Sequence, residues 1–246
     1  MNSVLVYPIG TTQAVRHAVS LLHKKGILLI DHPAPEITHL LLDVPSFTAD
    51  GSLRSGGAVQ HHLERLPQDI TVVGGNLQHP ALSGYRTVDF LQDPLYLSRN
   101  AAITADCAIR VAAQTLKTTF ADTPVLVIGW GRIGKCLAKM LKNLGCDVAV
   151  AARKESDRAM LIALGYRAVN YDASLKPYRL IINTVPAPVF SREITLCTNC
   201  VKIELASSPG LTGEDLISAK GLPGIHTPES SGRLIAETFL RLCKEE

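Results

Sequence analysis

Apolar residues fall into two rhythms along this chain of 246 residues. Some stand in short unbroken runs between turn formers, the pattern of strands buried on both faces. Others recur every three or four residues, the pattern of one helical face. Over residues 1–99, the runs at 4–7, 27–30, 39–42 and 70–73 predict strands, and 11–24 predicts an amphipathic helix. Residues 46–57, rich in Ser, Thr, Gly and Asp, predict an exposed loop, with a helix over 58–66. A helix of small and apolar residues is expected at 101–116. Beyond it, strands are expected at 125–128, 147–154, 180–183, 201–205 and 224–226, with helices at 157–164 and 230–243. The last helix carries Leu234, Ile235, Phe239, Leu240 and Cys243 on its apolar side. Such alternation builds parallel sheets covered by helices, so two α/β domains are expected, 1–99 and 100–246.

Composition excludes more than it selects. A hydrophobic share of 46% suffices for real cores, and a formal charge of +3, with both signs interspersed, gives no case for nucleic acid or a membrane surface. No apolar stretch approaches the roughly 20 residues of a membrane span. The first residues lack a signal-peptide pattern and read as a strand. Six scattered cysteines predict reduced thiols and a cytoplasmic location. Cys197-x-x-Cys200 has no second pair or nearby histidines to complete a zinc site; no metal is expected, and both thiols read as turn residues.

The chemistry starts at Gly129-x-Gly131-x-x-Gly134, set between an apolar strand and a helix of apolar spacing. In that setting the motif is a dinucleotide cradle. Gly129 allows the turn, Gly131 lets the backbone approach a pyrophosphate, and Gly134 brings helix and strand together. Arg132 and Ile133 complete the turn at the helix N-terminus, whose free N–H groups favour phosphate. The second domain is therefore expected to be a Rossmann-type, doubly wound parallel sheet of roughly five or six strands, beside a smaller N-terminal α/β domain with its own parallel sheet. The next strand ends in Ala152, Arg153 and Lys154 where NAD-binding proteins place an acid on the adenine ribose. Without that acid, and with a guanidinium beside it, NADP is the expected cofactor and NAD the alternative.

The run from residue 100 to 246 resembles one component of dipicolinate synthase, its A polypeptide. The matching pieces are Asn100-x-x-Ile103-Thr104-Ala105-Asp106, the glycine turn with Arg132, Ala152-Arg153 and Ile182-Asn183-Thr184-Val185-Pro186. Leu205-Ala206-Ser207-x-Pro209-Gly210, Gly221-Leu222-Pro223-Gly224, Pro228 and Gly232 follow in the family's order. Residues before 100 match loosely, at Pro45-Ser46 and the glycine-rich loop after them. The family tends to have Asp at Glu204, a basic residue at Ser208, a second glycine at Leu211 and Lys-Thr-Ala-Gly at Glu229-Ser230-Ser231-Gly232.

The resemblance implies NAD(P)-linked oxidation of dihydrodipicolinate to dipicolinate during spore formation, in the mother-cell cytoplasm, with NADP favoured by Ala152, Arg153 and Lys154. It also implies a partner, the flavoprotein-like B subunit. A homodimer is the default assembly. Asn183, Thr184, Val185 and Pro186 are expected beside the nicotinamide ribose, and Ala206 and Ser207 beside the nicotinamide. A dicarboxylate needs cations and hydroxyls, for which Arg54, Arg132, Ser46 and Ser207 are candidates. For catalysis the candidates are Thr104 and Asp106, facing a cleft from the linking helix or simply favouring its start, and His226, since imidazole suits proton transfer near neutral pH. Two other functions stay open. One is an NAD(P)-dependent dehydrogenase of a small 2-hydroxy or 2-amino acid. The other is a non-catalytic, dinucleotide-binding regulatory protein, suggested by the lost basic positions at Ser208 and Glu229.

Overall fold

A computed structural model describes residues 4–190, 200–208, 210–211, 216–219 and 221–243. They divide into two compact units: Met1–Asn100 with Pro223–Glu246, and Ala101–Leu222. Cys197, Pro209 and the segment 212–215 lie outside the described residues.

In the first unit, β1 (Leu5–Pro8), β2 (Leu28–Leu29), β3 (His39–Leu41), β4 (Thr71–Gly74) and β5 (Arg86–Asp89) form a parallel sheet in the order β2-β1-β3-β4-β5. The edge strand β5 gave no sequence signal because Val88 is its only aliphatic residue and Arg86 and Thr87 are exposed. Thr12 caps α1 (Gln13–Lys24), which buries Ala14, Val15, Ala18 and Leu22. The helix expected over 58–66 is the single turn α2 (Gln60–Leu63), confined between Gly57 at φ +78° and Pro67.

The helix expected at 101–116 is longer: α3 runs Pro94–Thr115. Asp93 caps it, its carboxylate accepting from the Tyr96 N–H at 2.7 Å, and Pro94 sets the first helical φ. The strand expected at 224–226 is instead part of a helix, α6 (Leu222–His226), entered through Gly221 at φ +68° and Pro223. It leads into α7 (Pro228–Cys243). Sequence reading assigns α7 to the nucleotide-binding domain, but it packs on α1 in the first unit. Gly232 makes this possible, since a Cβ there would sit 2.5 Å from the Ala14 carbonyl oxygen. Ion pairs Arg99–Glu237 and Arg241–Asp93, each 2.5 Å, anchor α7 further.

The second unit holds β6 (Pro124–Ile128), β7 (Asp147–Ala151), β8 (Arg167–Val169), β9 (Leu180–Asn183), β10 (Val201–Glu204) and β11 (Leu216–Ser218). All pairs are parallel, in the order β11-β10-β9-β6-β7-β8, which is the doubly wound Rossmann arrangement. Helix α4 (Arg132–Asn143) follows β6, and α5 (Glu155–Ala163) follows β7. Leu137, Ala138 and Leu141 of α4 pack with Val125, Val127 and Leu180 on one sheet face. Leu126, Ile128, Ala149 and Ile181 point into a second cluster on the other. Being buried on both faces is what makes these strands unbroken apolar runs.

Candidate functional site

The site grows from the turn between β6 and α4. Gly129 adopts φ +103°, a conformation open to glycine, and a Cβ on it would meet Thr184 Oγ1 at 2.5 Å and Val185 Cγ2 at 2.7 Å. A Cβ on Gly134 would collide with the Gly129 carbonyl oxygen. Gly131 differs, because nothing stands within 4 Å of where its Cβ would be. It is the N-cap of α4 and has no side chain to satisfy the helix's first N–H groups. Arg132 is exposed at the first helical position and Ile133 is half-buried. An open space facing unsatisfied N–H groups at a helix N-terminus fits a pyrophosphate.

A cavity of about 550 Å³ opens here, beyond the carboxyl ends of β6, β7 and β9. It is lined by Gly129 and Gly131 of the cradle, by Ala152, Arg153 and Lys154, and by Thr184, Val185 and Pro186. Eight of the residues expected to hold the cofactor thus meet in one place. The cavity also takes in Trp130, Asp157 and Tyr171, which the sequence reading did not select. Arg158 was missed too: its Nη1 donates to the Ala152 and Arg153 carbonyls at 2.9 and 2.8 Å, fixing the turn that presents Arg153. Burial pushes the Tyr171 phenol above its ordinary pKa; Arg153 opposes that shift and Asp157 adds to it.

Asn183, expected beside the nicotinamide ribose, is fully buried and does not line the cavity. Its Nδ2 donates to both carboxylate oxygens of Glu204 at 2.9 Å, and its Oδ1 accepts from the Val185 N–H. Glu204 is also buried and accepts from the backbone N–H groups of Ala206, Gly210 and Leu211 at 2.8 to 2.9 Å. The pair therefore ties together the loops after β9 and β10. Thr184 adds a bond from Oγ1 to the Ile128 carbonyl at 2.8 Å. Ala206 is buried and Ser207 exposed, and neither lines the cavity. A charged residue at the end of an apolar strand was the available signal for Glu204.

The catalytic candidates are less concentrated. Thr104 and Asp106 lie well inside α3, so neither caps it. Thr104 is buried, while Asp106 makes an exposed ion pair with Arg110 at 2.7 Å. His226 ends α6 and belongs to the first unit.

Of the substrate candidates in the first unit, Ser46 is buried, its hydroxyl donating to the Asp43 carbonyl and accepting from the Gly75 N–H. It joins the loops after β3 and β4, with its hydroxyl proton committed to Asp43. Arg54 is exposed and makes no ion pair among the described residues. The turn before α1 is taken by Asp43, which accepts from the Thr11 and Thr12 N–H groups at 3.1 and 3.0 Å. No disulfide joins any two of the five described cysteines, and Cys200 directly precedes β10. Among the described residues no helix is long and apolar enough to cross a membrane.

Residues 99–194 match the family of D-isomer specific 2-hydroxyacid dehydrogenases, NAD binding domain. Over those residues the chain is similar to a domain that binds a nicotinamide dinucleotide, and this likeness supports an oxidoreductase. The A polypeptide of dipicolinate synthase from Bacillus subtilis is 27% identical over 238 residues, covering 87% of this chain and 80% of that one. The chain is a homologue of that polypeptide. The crystal structure of its Bacillus halodurans counterpart superposes with a TM-score of 0.86 at 20% identity, over 98% of each chain. D-lactate dehydrogenase of Escherichia coli shares the fold more distantly, at a TM-score of 0.57 and 14% identity, over 98% of this chain and 96% of that one.

Proposed function

We propose that the protein is the dehydrogenase component of a dipicolinate synthase, oxidising dihydrodipicolinate to dipicolinate with NADP. The observation that carries this reading is the cavity in which the glycine cradle meets Arg153 and Lys154, in a chain homologous to the A polypeptide of dipicolinate synthase. The cradle holds the pyrophosphate, and Arg153 with Lys154 receives the 2′-phosphate through charge-assisted hydrogen bonds. The nicotinamide, when bound, accepts the hydride, and the substrate ring also loses a proton as it becomes aromatic. Val185 and Pro186 position the ribose beside it, and Arg132 with Ser207 offers polar contacts to a carboxylate. In the first unit, the exposed Arg54 is a candidate cation for a carboxylate. His226, Thr104 and Asp106 are the candidates to take the proton.

The relative is named as one subunit of its enzyme, which supports a companion chain, here taken to be flavoprotein-like; a homodimer completes the proposed assembly. The proposed site of action is the cytoplasm, in the mother cell of a sporulating bacterium, as the likeness to the A polypeptide of dipicolinate synthase suggests. The match to 2-hydroxyacid dehydrogenases favours a second reading, a dehydrogenase of a small 2-hydroxy acid using the same cofactor cleft.

The deciding experiment mixes purified protein with NADP or NAD and freshly prepared dihydrodipicolinate. Dipicolinate absorbance and NADPH should rise together at equal molar rates. Product without dependence on the cofactor overturns the proposal, as does cofactor binding without turnover when the companion chain is present. Turnover of a 2-hydroxy acid in place of dihydrodipicolinate selects the second reading.

A further inference from the structure

We propose that Asp157 sets how strongly this protein distinguishes a 2′-phosphate from a 2′-hydroxyl on the adenine ribose. The proposal rests on the reading that the cavity holds the adenosine half of a nicotinamide dinucleotide. At the end of β7 the residues are Ala151 and Ala152, both buried, so that strand provides no carboxylate for the ribose hydroxyls. The first turn of α5 provides one instead. Asp157 is half-buried, lines the same cavity as Arg153 and Lys154, and makes no hydrogen bond or ion pair among the described residues.

Arg153, Asp157 and Tyr171 line the one cavity, and the two charges act on the Tyr171 phenol with opposite sign. The backbone that carries Arg153 is tied to α5. Arg158, one residue after Asp157 on α5, holds the Ala152 and Arg153 carbonyls through Nη1. An unpaired carboxylate accepts hydrogen bonds from ribose hydroxyls and repels a phosphate dianion, while the adjoining guanidinium and ammonium attract that dianion. Selection is then a difference between two opposed charges within one cleft, and neither cofactor is shut out. Asp157 also favours the start of α5 through the helix dipole, a role that affects stability and is indifferent to the 2′-group.

Nucleotide titration followed by fluorescence tests the proposal, because Trp130 lines the cavity and is the chain's single tryptophan. Replacing Asp157 by Asn should tighten NADP roughly fivefold and weaken NAD roughly threefold, shifting the ratio of affinities by about an order of magnitude. Asp157→Glu, which keeps the charge, should hold the ratio within about twofold of the parent. Arg153→Ala should move the ratio the other way. An unchanged ratio in Asp157→Asn, or equal losses for both nucleotides, overturns the proposal by leaving only a structural role. If that variant melts early, Asp157→Ser supports the same comparison. A parent that prefers NAD refutes the NADP reading and leaves the Asp157 shift to be measured. A parent that binds neither nucleotide refutes both.

Discussion

Asn183 and Glu204 end neighbouring parallel strands, and the Asn183 Nδ2 divides its donation between both oxygens of the buried Glu204 carboxylate, each at 2.9 Å. With three backbone N–H groups on the same carboxylate, the pair ties the loop after β9, which lines the cofactor cavity, to the loop after β10. Glu204→Gln would point an amide NH₂ at groups that are already donors. The second unit should lose about 2–4 kcal/mol of stability, since buried groups left without partners carry their full desolvation cost. Thermal melting checks this, and Glu204→Asp should fall between parent and Gln variant.

The three glycines of the cradle should separate by phenotype. Gly134→Ala forces a methyl onto the Gly129 carbonyl oxygen, so it should destabilise the unit and abolish nucleotide binding together. Gly131→Ala has room in the empty protein, and its melting point should move little, by no more than about 1 kcal/mol for the lost glycine cap. Its methyl occupies the approach to the pyrophosphate, so nucleotide affinity should fall at least roughly tenfold. Binding and melting measured on both variants test the assignment.

Reversal of charge at Arg54 should cripple turnover of dihydrodipicolinate while leaving nucleotide affinity near the parent value. The side chain is exposed and belongs to the first unit, whereas the cavity residues belong to the second. Equal activity in Arg54→Glu would remove it from the substrate site.

His62 gives the first unit a pH dependence. Its pKa is lowered from the ordinary 6.5, by burial first, then by Arg65 and His61. The unfolded chain therefore binds this proton more readily than the folded one, and the sign follows from linkage. The contribution is complete above about pH 6.5 and is lost as pH falls below it toward the depressed folded value. Urea melts of parent and His62→Gln between neutral and mildly acidic pH should show the parent losing more stability on acidification.

What could be read from the sequence depended on whether a segment's neighbours were local. Gly129 to Gly134 were legible because their partners are the adjoining strand and helix, and the spacing encodes both. Ala152 and Arg153 were legible as the end of an apolar run. The bond from Asn183 to Glu204 was not legible, because Glu204 comes from a separate strand and a turn-forming Asn looks alike whether exposed or buried. Asp93-Pro94 did carry the start of α3, as a cap followed by proline, but it precedes the apolar periodicity of 101–116. The edge strands β8 and β11 are only three residues each, too short for a rhythm. The stripe on α7 announced one buried face; Gly232 against Ala14 decided which neighbour buries it.

That last contact also sets an order of events during synthesis. Ala101–Leu222 is one uninterrupted stretch, so every residue of the nucleotide-binding sheet is made, and emerges, before α7. The first unit, although begun earlier, must wait for α7 to cover Ala14 and Ala18. A nascent chain that has emerged only as far as residue 222 should therefore have a finished cradle and an uncovered α1, and the part of the protein started first is the part completed last.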